Sequence, residues 1–291
     1  MYSDNAGAIE AWNTILFDKF VRFRRVVTEG FAEHGARPLR EQAYPAGARV
    51  LDVGCGFGDT TLAIAEQVGP GGRAVGVDCA EKFIHLAEQE GRALGRSEAS
   101  YFVADVERDD LRGPYDHAFA RFGTMFFASP VAALRNIRNA LAPGGELTMV
   151  VWRRRDDNPW VCDAERAVKA ILPIFLPTSE SDPSAHVHCG PGPFSMASAD
   201  LVSDIMRAAH FKRISLSRTD CEICIGTNLE EAVEFGMALG PAGEIMRLAG
   251  SEGERARPRV ADSLRGLFAQ FERADGSIWA ASSSWTVRGR V

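Results

Sequence analysis

A chain of 291 residues with 46% hydrophobic and 25% charged residues is long enough to bury one substantial core and to carry an insertion. Its net charge of −6 argues against a nucleic-acid-binding protein, and the basic runs at 22–25 and 153–155 read as solvated faces. With no apolar run of about 18 residues and no export signal at the start, the six scattered cysteines read as free thiols of a cytoplasmic protein without a membrane span.

Residues 6–30 place Ile9, Trp12, Leu16, Phe20, Phe23 and Val27 at helical spacing, which predicts one amphipathic helix covering the core. The stretch 35–47, with Pro38 and Pro45, reads as a connector. Val50, Leu51 and Val53 then read as the end of a buried strand, followed by Gly54-Cys55-Gly56-Phe57-Gly58 and a helix over 60–68 closed by Gly69-Pro70. Strand, glycine-rich turn and helix open a βαβ unit in which a ligand can approach the backbone closely. The dinucleotide fingerprint wants a third glycine where Asp59 stands. A carboxylate at a helix start is hostile to a pyrophosphate, whereas Asp59 and the preceding Asp52 tolerate a cationic ligand.

A second strand over 73–77 ends at Asp78, where a carboxylate meets the ribose hydroxyls of a nucleoside ligand. A helix over 81–94 and a third strand over 101–104 follow, ending in Asp105-Val106. A fourth strand over 115–121 runs into Phe122-Gly123-Thr124-Met125-Phe126-Phe127. Ser129-Pro130 opens the next helix, with Ser129 as the expected cap, and Ala142-Pro143-Gly144-Gly145 turns into a fifth strand over 146–152. Strands and helices alternate, so the sheet is expected to be parallel with ligands at its carboxyl ends.

Asp-x-Gly-x-Gly-x-Gly after an apolar strand resembles motif I of the class I S-adenosylmethionine (SAM)-dependent methyltransferases. Asp78, Asp105, Arg-Phe-Gly-Thr-Met-Phe-Phe and Leu-Ala-Pro-Gly-Gly-Glu-Leu fall in that family's order, over about residues 48–153. The resemblance is to the quinone-biosynthesis-like and secondary-metabolite branches. It implies a Rossmann-like seven-stranded, mostly parallel sheet with an antiparallel last strand and helices on both faces. An N-terminal cap and further helices and a loop would cover the site. SAM would be the cofactor and S-adenosylhomocysteine its product. The positions it assigns to that cofactor are Asp52, Gly54, Cys55, Gly56, Gly58, Thr60, Asp78, Cys79, Asp105, Val106, Arg121 and Phe122. The expected division is a cap over 1–45, the core over 46–153, an insertion over 154–198, and the end of the sheet over 199–291. That last part holds a helical pair near 229–249 and 256–273, joined by a polar linker, which either covers the crevice or forms a homodimer surface.

The acceptor is expected to be a small, partly apolar metabolite, met by Trp12, Met125, Phe126, Phe127, Trp152 and Trp160. A hydroxyl or carbon acceptor wants a general base, for which His188 and His186 in the loop after 173 are the candidates, ahead of His117 and His210. No metal is expected: Cys221 and Cys224, three apart on a strand, face opposite sides, and Asp182, His186, His188 and Cys189 lack a fixed geometry. No Asn-Pro-Pro-Tyr-type motif follows strand four, which argues against adenine-N6 and glutamine methylation. Rival readings are other chemistry on the same fold (cyclase, decarboxylase or dehalogenating methyl transfer), an NAD(P)-dependent oxidoreductase, and a non-catalytic module. The oxidoreductase is disfavoured by Asp59 and by the lack of a lysine four residues after any tyrosine.

Overall fold

The structure, a computed structural model, describes residues 5–172 and 190–291. Seven strands form one sheet: β1 (Arg49–Val53), β2 (Arg73–Asp78), β3 (Ala99–Val103), β4 (Tyr115–Arg121), β5 (Leu141–Trp152), β6 (Lys212–Gly226) and β7 (Ile278–Arg290). Their order is β3-β2-β1-β4-β5-β7-β6. The first five are parallel, and β7 lies antiparallel between β5 and β6, as expected. Val50, Leu51 and Val53 are sealed because helices cover both faces of a parallel sheet, which is why β1 reads as a nearly unbroken apolar run. Reversal of strand order between β1 and β4 opens a crevice at their carboxyl ends.

The helices in chain order are α1 (Ala6–Asn13), α2 (Ile15–Arg22), α3 (Ala32–Gln42), α4 (Asp59–Val68), α5 (Glu81–Ala93), α6 (Pro130–Ala140), α7 (Pro159–Ile171), α8 (Ala199–Ala208), α9 (Leu229–Ala238), α10 (Gly240–Leu248) and α11 (Gly250–Phe268). No described helix is long and apolar enough to cross a membrane.

Four local expectations need correction. The single helix over 6–30 is broken at Thr14, and its last turn, Val26–Gly30, is π-helical. The connector after Gly35 is helical as far as Gln42, despite Pro38 inside it. Proline costs a helix interior about 3 kcal/mol, but His34, Gly35, Pro38 and Leu39 bury one face together, and that packing prevails. The expected pair of late helices is three, and the polar linker forms the first turn of α11. Finally, Ser129 makes no side-chain cap for α6; the Glu107 carboxylate accepts from the N–H groups of Ala128 (2.7 Å) and Ser129 (3.1 Å) instead. The turn at 142–145 is present as a register shift inside β5, where Tyr115 pairs with Leu141 and His117 with Glu146.

Candidate active site

The turn between β1 and α4 has three glycines at positive φ, +67° at Gly54, +51° at Gly56 and +80° at Gly58. Each is required for a different reason. A Cβ on Gly54 would stand 3.2 Å from the Cα of Gly123, so the turn and the end of β4 touch backbone to backbone. A Cβ on Gly58 would meet the Tyr101 ring and Ala87 at 2.9 Å. Nothing lies within 4 Å of a Cβ on Gly56, so this glycine alone of the three faces open space.

The turn's own N–H groups are largely committed. Gly54 and Cys55 donate to the Val77 carbonyl (2.8 and 3.1 Å), Gly58 to Cys55, and Gly56 to the Asp78 carboxylate (3.0 Å). A pyrophosphate cradle needs such groups free. Asp59, at the start of α4, is a paired charge rather than the open one expected: its Oδ2 is 2.5 Å from a guanidinium nitrogen of Arg121. Committed N–H groups therefore argue against a dinucleotide more directly than Asp59 does.

Asp52 also differs from an exposed counter-charge. It is 1% exposed, accepts a 2.6 Å hydrogen bond from the Thr61 hydroxyl, and burial pushes its pKa up to about 7. Thr60, which precedes Thr61, is buried as well. Asp78, at the end of β2, accepts from Gly56 with one oxygen and from Ala80 (2.9 Å) with the other. Its pKa is raised because burial outweighs those N–H donors. Burial likewise pushes the Cys55 and Cys79 thiols up, so both remain protonated. Asp105 accepts from the Glu107 N–H (3.0 Å) and from the Asn5 amide (3.3 Å), which ties the start of the chain to the end of β3; Val106 is buried behind it.

Beyond the carboxyl ends of β4 and β5, buried and half-buried rings pack together as an aromatic wall. Phe122, held at φ +57°, stacks on Trp152 with centroids 4.0 Å apart. Phe31 packs edge-on against Trp152 at 5.4 Å, and Trp160 stacks on Phe235 at 6.0 Å. Trp12 from α1 meets Phe126 edge-to-face at 5.1 Å, so the cap reaches the loop after β4. Phe127 packs partly buried beside the core, while Met125 is buried with its sulfur 3.3 Å from the Trp152 N–H. Each ring pair adds about 0.5–1.5 kcal/mol beyond its buried area. Glu107 fixes the far end of this loop through Ala128 and Ser129.

His186 and His188 lie outside the described residues. Among the others, His117 sits toward the amino end of β4 against Gln42, and His210 is exposed in the turn before β6; neither is at the crevice. The residue that sequence reasoning missed is His34. It is fully buried, with Nε2 2.7 Å from the Ser282 hydroxyl and Nδ1 2.8 Å from that of Ser284, and Cys221 Sγ is 3.3 Å away. Burial lowers its pKa to about 4, so the ring is neutral. Its ring packs edge-on to Trp152 at 5.0 Å and so supports the aromatic wall from behind.

A seven-stranded sheet with this strand order, a committed glycine turn, and carboxylates closing β2 and β3 defines a Rossmann-like methyltransferase architecture rather than a dinucleotide-binding one. Residues 50–145 match the family described as a methyltransferase domain. Over 181 residues the chain is 23% identical to demethylmenaquinone methyltransferase of Staphylococcus carnosus, covering 62% of this chain and 74% of that one. It is 27% identical over 214 residues to nocamycin O-methyltransferase of Saccharothrix syringae, covering 72% and 75%. The YcgJ protein of Bacillus subtilis superposes with a TM-score of 0.57 at 16% identity, over 89% of this chain and 98% of that one, a likeness of fold. Residues 50–145 thus carry a methyltransferase domain, and the chain is similar to class I methyltransferases of the small-molecule type.

Proposed function

We propose that this methyltransferase takes its methyl group from SAM and delivers it to a small, partly apolar acceptor held against the aromatic wall. The observation that carries this reading is Gly56: its missing side chain faces open space, and its N–H is drawn back onto Asp78. That arrangement leaves room for a ligand over the turn. The lone pairs of Asp78 not taken by Gly56 and Ala80 fit ribose hydroxyls. Asp105 and the N–H of Val106 fit an adenine edge. The turn from Gly54 to Gly58, with Cys55, Thr60, Cys79 and the chain at Arg121 and Phe122, would line the rest.

Bound SAM supplies a methyl carbon already activated by its sulfonium. The chain's contribution is then position and exclusion of water. Trp12, Met125, Phe126, Phe127, Trp152 and Trp160 orient the acceptor, and the helices over 6–42 and 229–268 act as covers on the core. Where the acceptor carries a hydroxyl, His188 or His186 takes its proton. Methyl-labelled SAM incubated with a panel of small phenols, enols, amines and thiols tests the transfer. Label in at least one acceptor class is the expected result. Tight SAM binding with no label transferred to any class would favour the rival readings of other chemistry on this fold.

A further inference from the structure

At the end of the sheet opposite the crevice, where the parallel strands begin, three arginines line an open cavity of about 320 Å³. Arg49 opens β1 and Arg73 opens β2, and the ladder places the two directly opposite each other. Arg112, at φ +58° in the turn before β4, lines the same cavity. Like charges opposed across a ladder repel, so the arrangement costs stability unless an anion stands between them. Among the described residues no carboxylate lies within ion-pair distance of these three guanidiniums, although on the same sheet Arg121 pairs with Asp59 and Arg290 with Glu146. The two carboxylates nearest in sequence turn to the backbone instead: Asp116 accepts from the N–H of Arg49 (2.8 Å) and Asp110 from that of Arg112 (2.9 Å).

Most of the guanidinium donors are left over. Each guanidinium carries five N–H groups. Arg49 gives two to the carbonyls of Pro114 (3.1 Å) and Arg112 (3.0 Å), Arg73 one to that of Ser97 (3.1 Å), and Arg112 none among the described residues. Rings hold two of the three in place: Arg49 lies over Tyr115 at 4.8 Å and Arg112 over Phe102 at 4.2 Å. Both rings and Val75 are buried, so the cations stand on a rigid apolar floor. Guanidiniums ordered in advance lose less freedom when an anion arrives.

We infer that this cavity is a second binding site, which takes a compact oxyanion carrying at least two negative charges, a phosphate ester or a polycarboxylate. Planar guanidinium forks meet either kind of oxyanion with paired N–H···O bonds, and such a ligand neutralises Arg49 and Arg73 together. The site is separate from methyl transfer. It lies at the amino ends of β1 and β2, whereas the glycine turn and Asp78 lie at their carboxyl ends. Strands of this length set the two about 17–20 Å apart, too far for one small anion to reach both.

Calorimetric titration of the full chain at constant ionic strength tests the site with pyrophosphate, citrate and, as a singly charged control, acetate. Saturable binding of pyrophosphate or citrate, and none of acetate, is the expected result; the tighter of the two tells phosphate from carboxylate. Affinity should be unchanged when S-adenosylhomocysteine is present. Arg112→Gln should weaken binding about tenfold, the scale of one charge-assisted hydrogen bond. Arg73→Gln should do the same and covers the case in which the first variant fails to fold. Arg259→Gln, which removes an exposed charge from α11, should leave the affinity as it is. Failure of both polyanions to saturate, or an unchanged affinity in both folded cavity variants, would overturn the inference. So would an equal loss in Arg259→Gln, which marks general charge attraction, or displacement by S-adenosylhomocysteine, which places the anion in the glycine turn.

Discussion

The ring of Tyr101 on β3 lies against Gly58, its Oη 2.9 Å from the point where a Cβ on that glycine would stand. Gly58 is thus demanded from within the protein, whereas Gly56 is left open toward the crevice. The two positions should separate stability from binding. Gly58→Ala combines a clash with a left-handed backbone and should destabilise by about 2–4 kcal/mol. Gly56→Ala meets no atom and should cost about 1 kcal/mol in stability, yet weaken S-adenosylhomocysteine strongly. Thermal unfolding and titration of the two variants check both halves.

Asp78→Ala should abolish S-adenosylhomocysteine binding and also destabilise the turn. The N–H groups of Gly56 and Ala80 lose their acceptor, at about 1–3 kcal/mol for each one left unsatisfied. Asp78→Asn retains an acceptor oxygen and should recover part of the stability. A partner-binding module without a nucleoside ligand would lose stability in Asp78→Ala but no ligand affinity.

Two buried groups titrate in one pH window with opposite signs. His34, lowered to about 4, stays neutral in the folded chain where the unfolded chain takes up a proton, so its contribution to stability falls as pH drops from about 6.5 to about 4. Asp52, raised to about 7, keeps a proton that the unfolded chain releases near its ordinary value, so its contribution falls as pH rises from about 4 to about 7. In the wild type the two largely offset. Asp52→Asn should expose the His34 slope, with stability rising by up to about 1.4 kcal/mol per pH unit between pH 4 and 6.5; His34→Gln should show the reverse slope. Denaturant unfolding across that range measures both.

Glu107 is predicted to act at a distance from any ligand. Its carboxylate holds the N–H groups of Ala128 and Ser129 and so anchors the loop that carries Met125, Phe126 and Phe127. Glu107→Ala should lower stability by about 1–2 kcal/mol, the usual effect of a lost helix cap. It should also reduce acceptor binding more than S-adenosylhomocysteine binding. Parallel titrations of the variant with both ligands distinguish this from a general loss of fold.

The parallel half of the sheet was legible because its signals are local: an apolar run, glycines at fixed offsets, and an acidic residue at or just after the ends of β2 and β3. The cap was less so. Pro38 ends a helix by every local rule, and only the burial of His34, Gly35, Pro38 and Leu39 as one face keeps α3 intact. His34 itself gave no sign, since the serines that hold it lie 248 and 250 residues away in sequence. The Arg121–Asp59 pair, 62 residues apart, was hidden for the same reason, and it changed what Asp59 means. Ser129 looked like a cap because of its type and place; the acceptor came from Glu107, 21 and 22 residues earlier.

The most direct measurement is a calorimetric titration of the purified chain with SAM, S-adenosylhomocysteine, NAD and NADP in parallel. Micromolar binding of the first two and none of the nicotinamide cofactors is the predicted result, following from the open position at Gly56 and the committed N–H groups around it. Binding of NAD or NADP alone would contradict it, and would mean that the turn releases those N–H groups to a pyrophosphate.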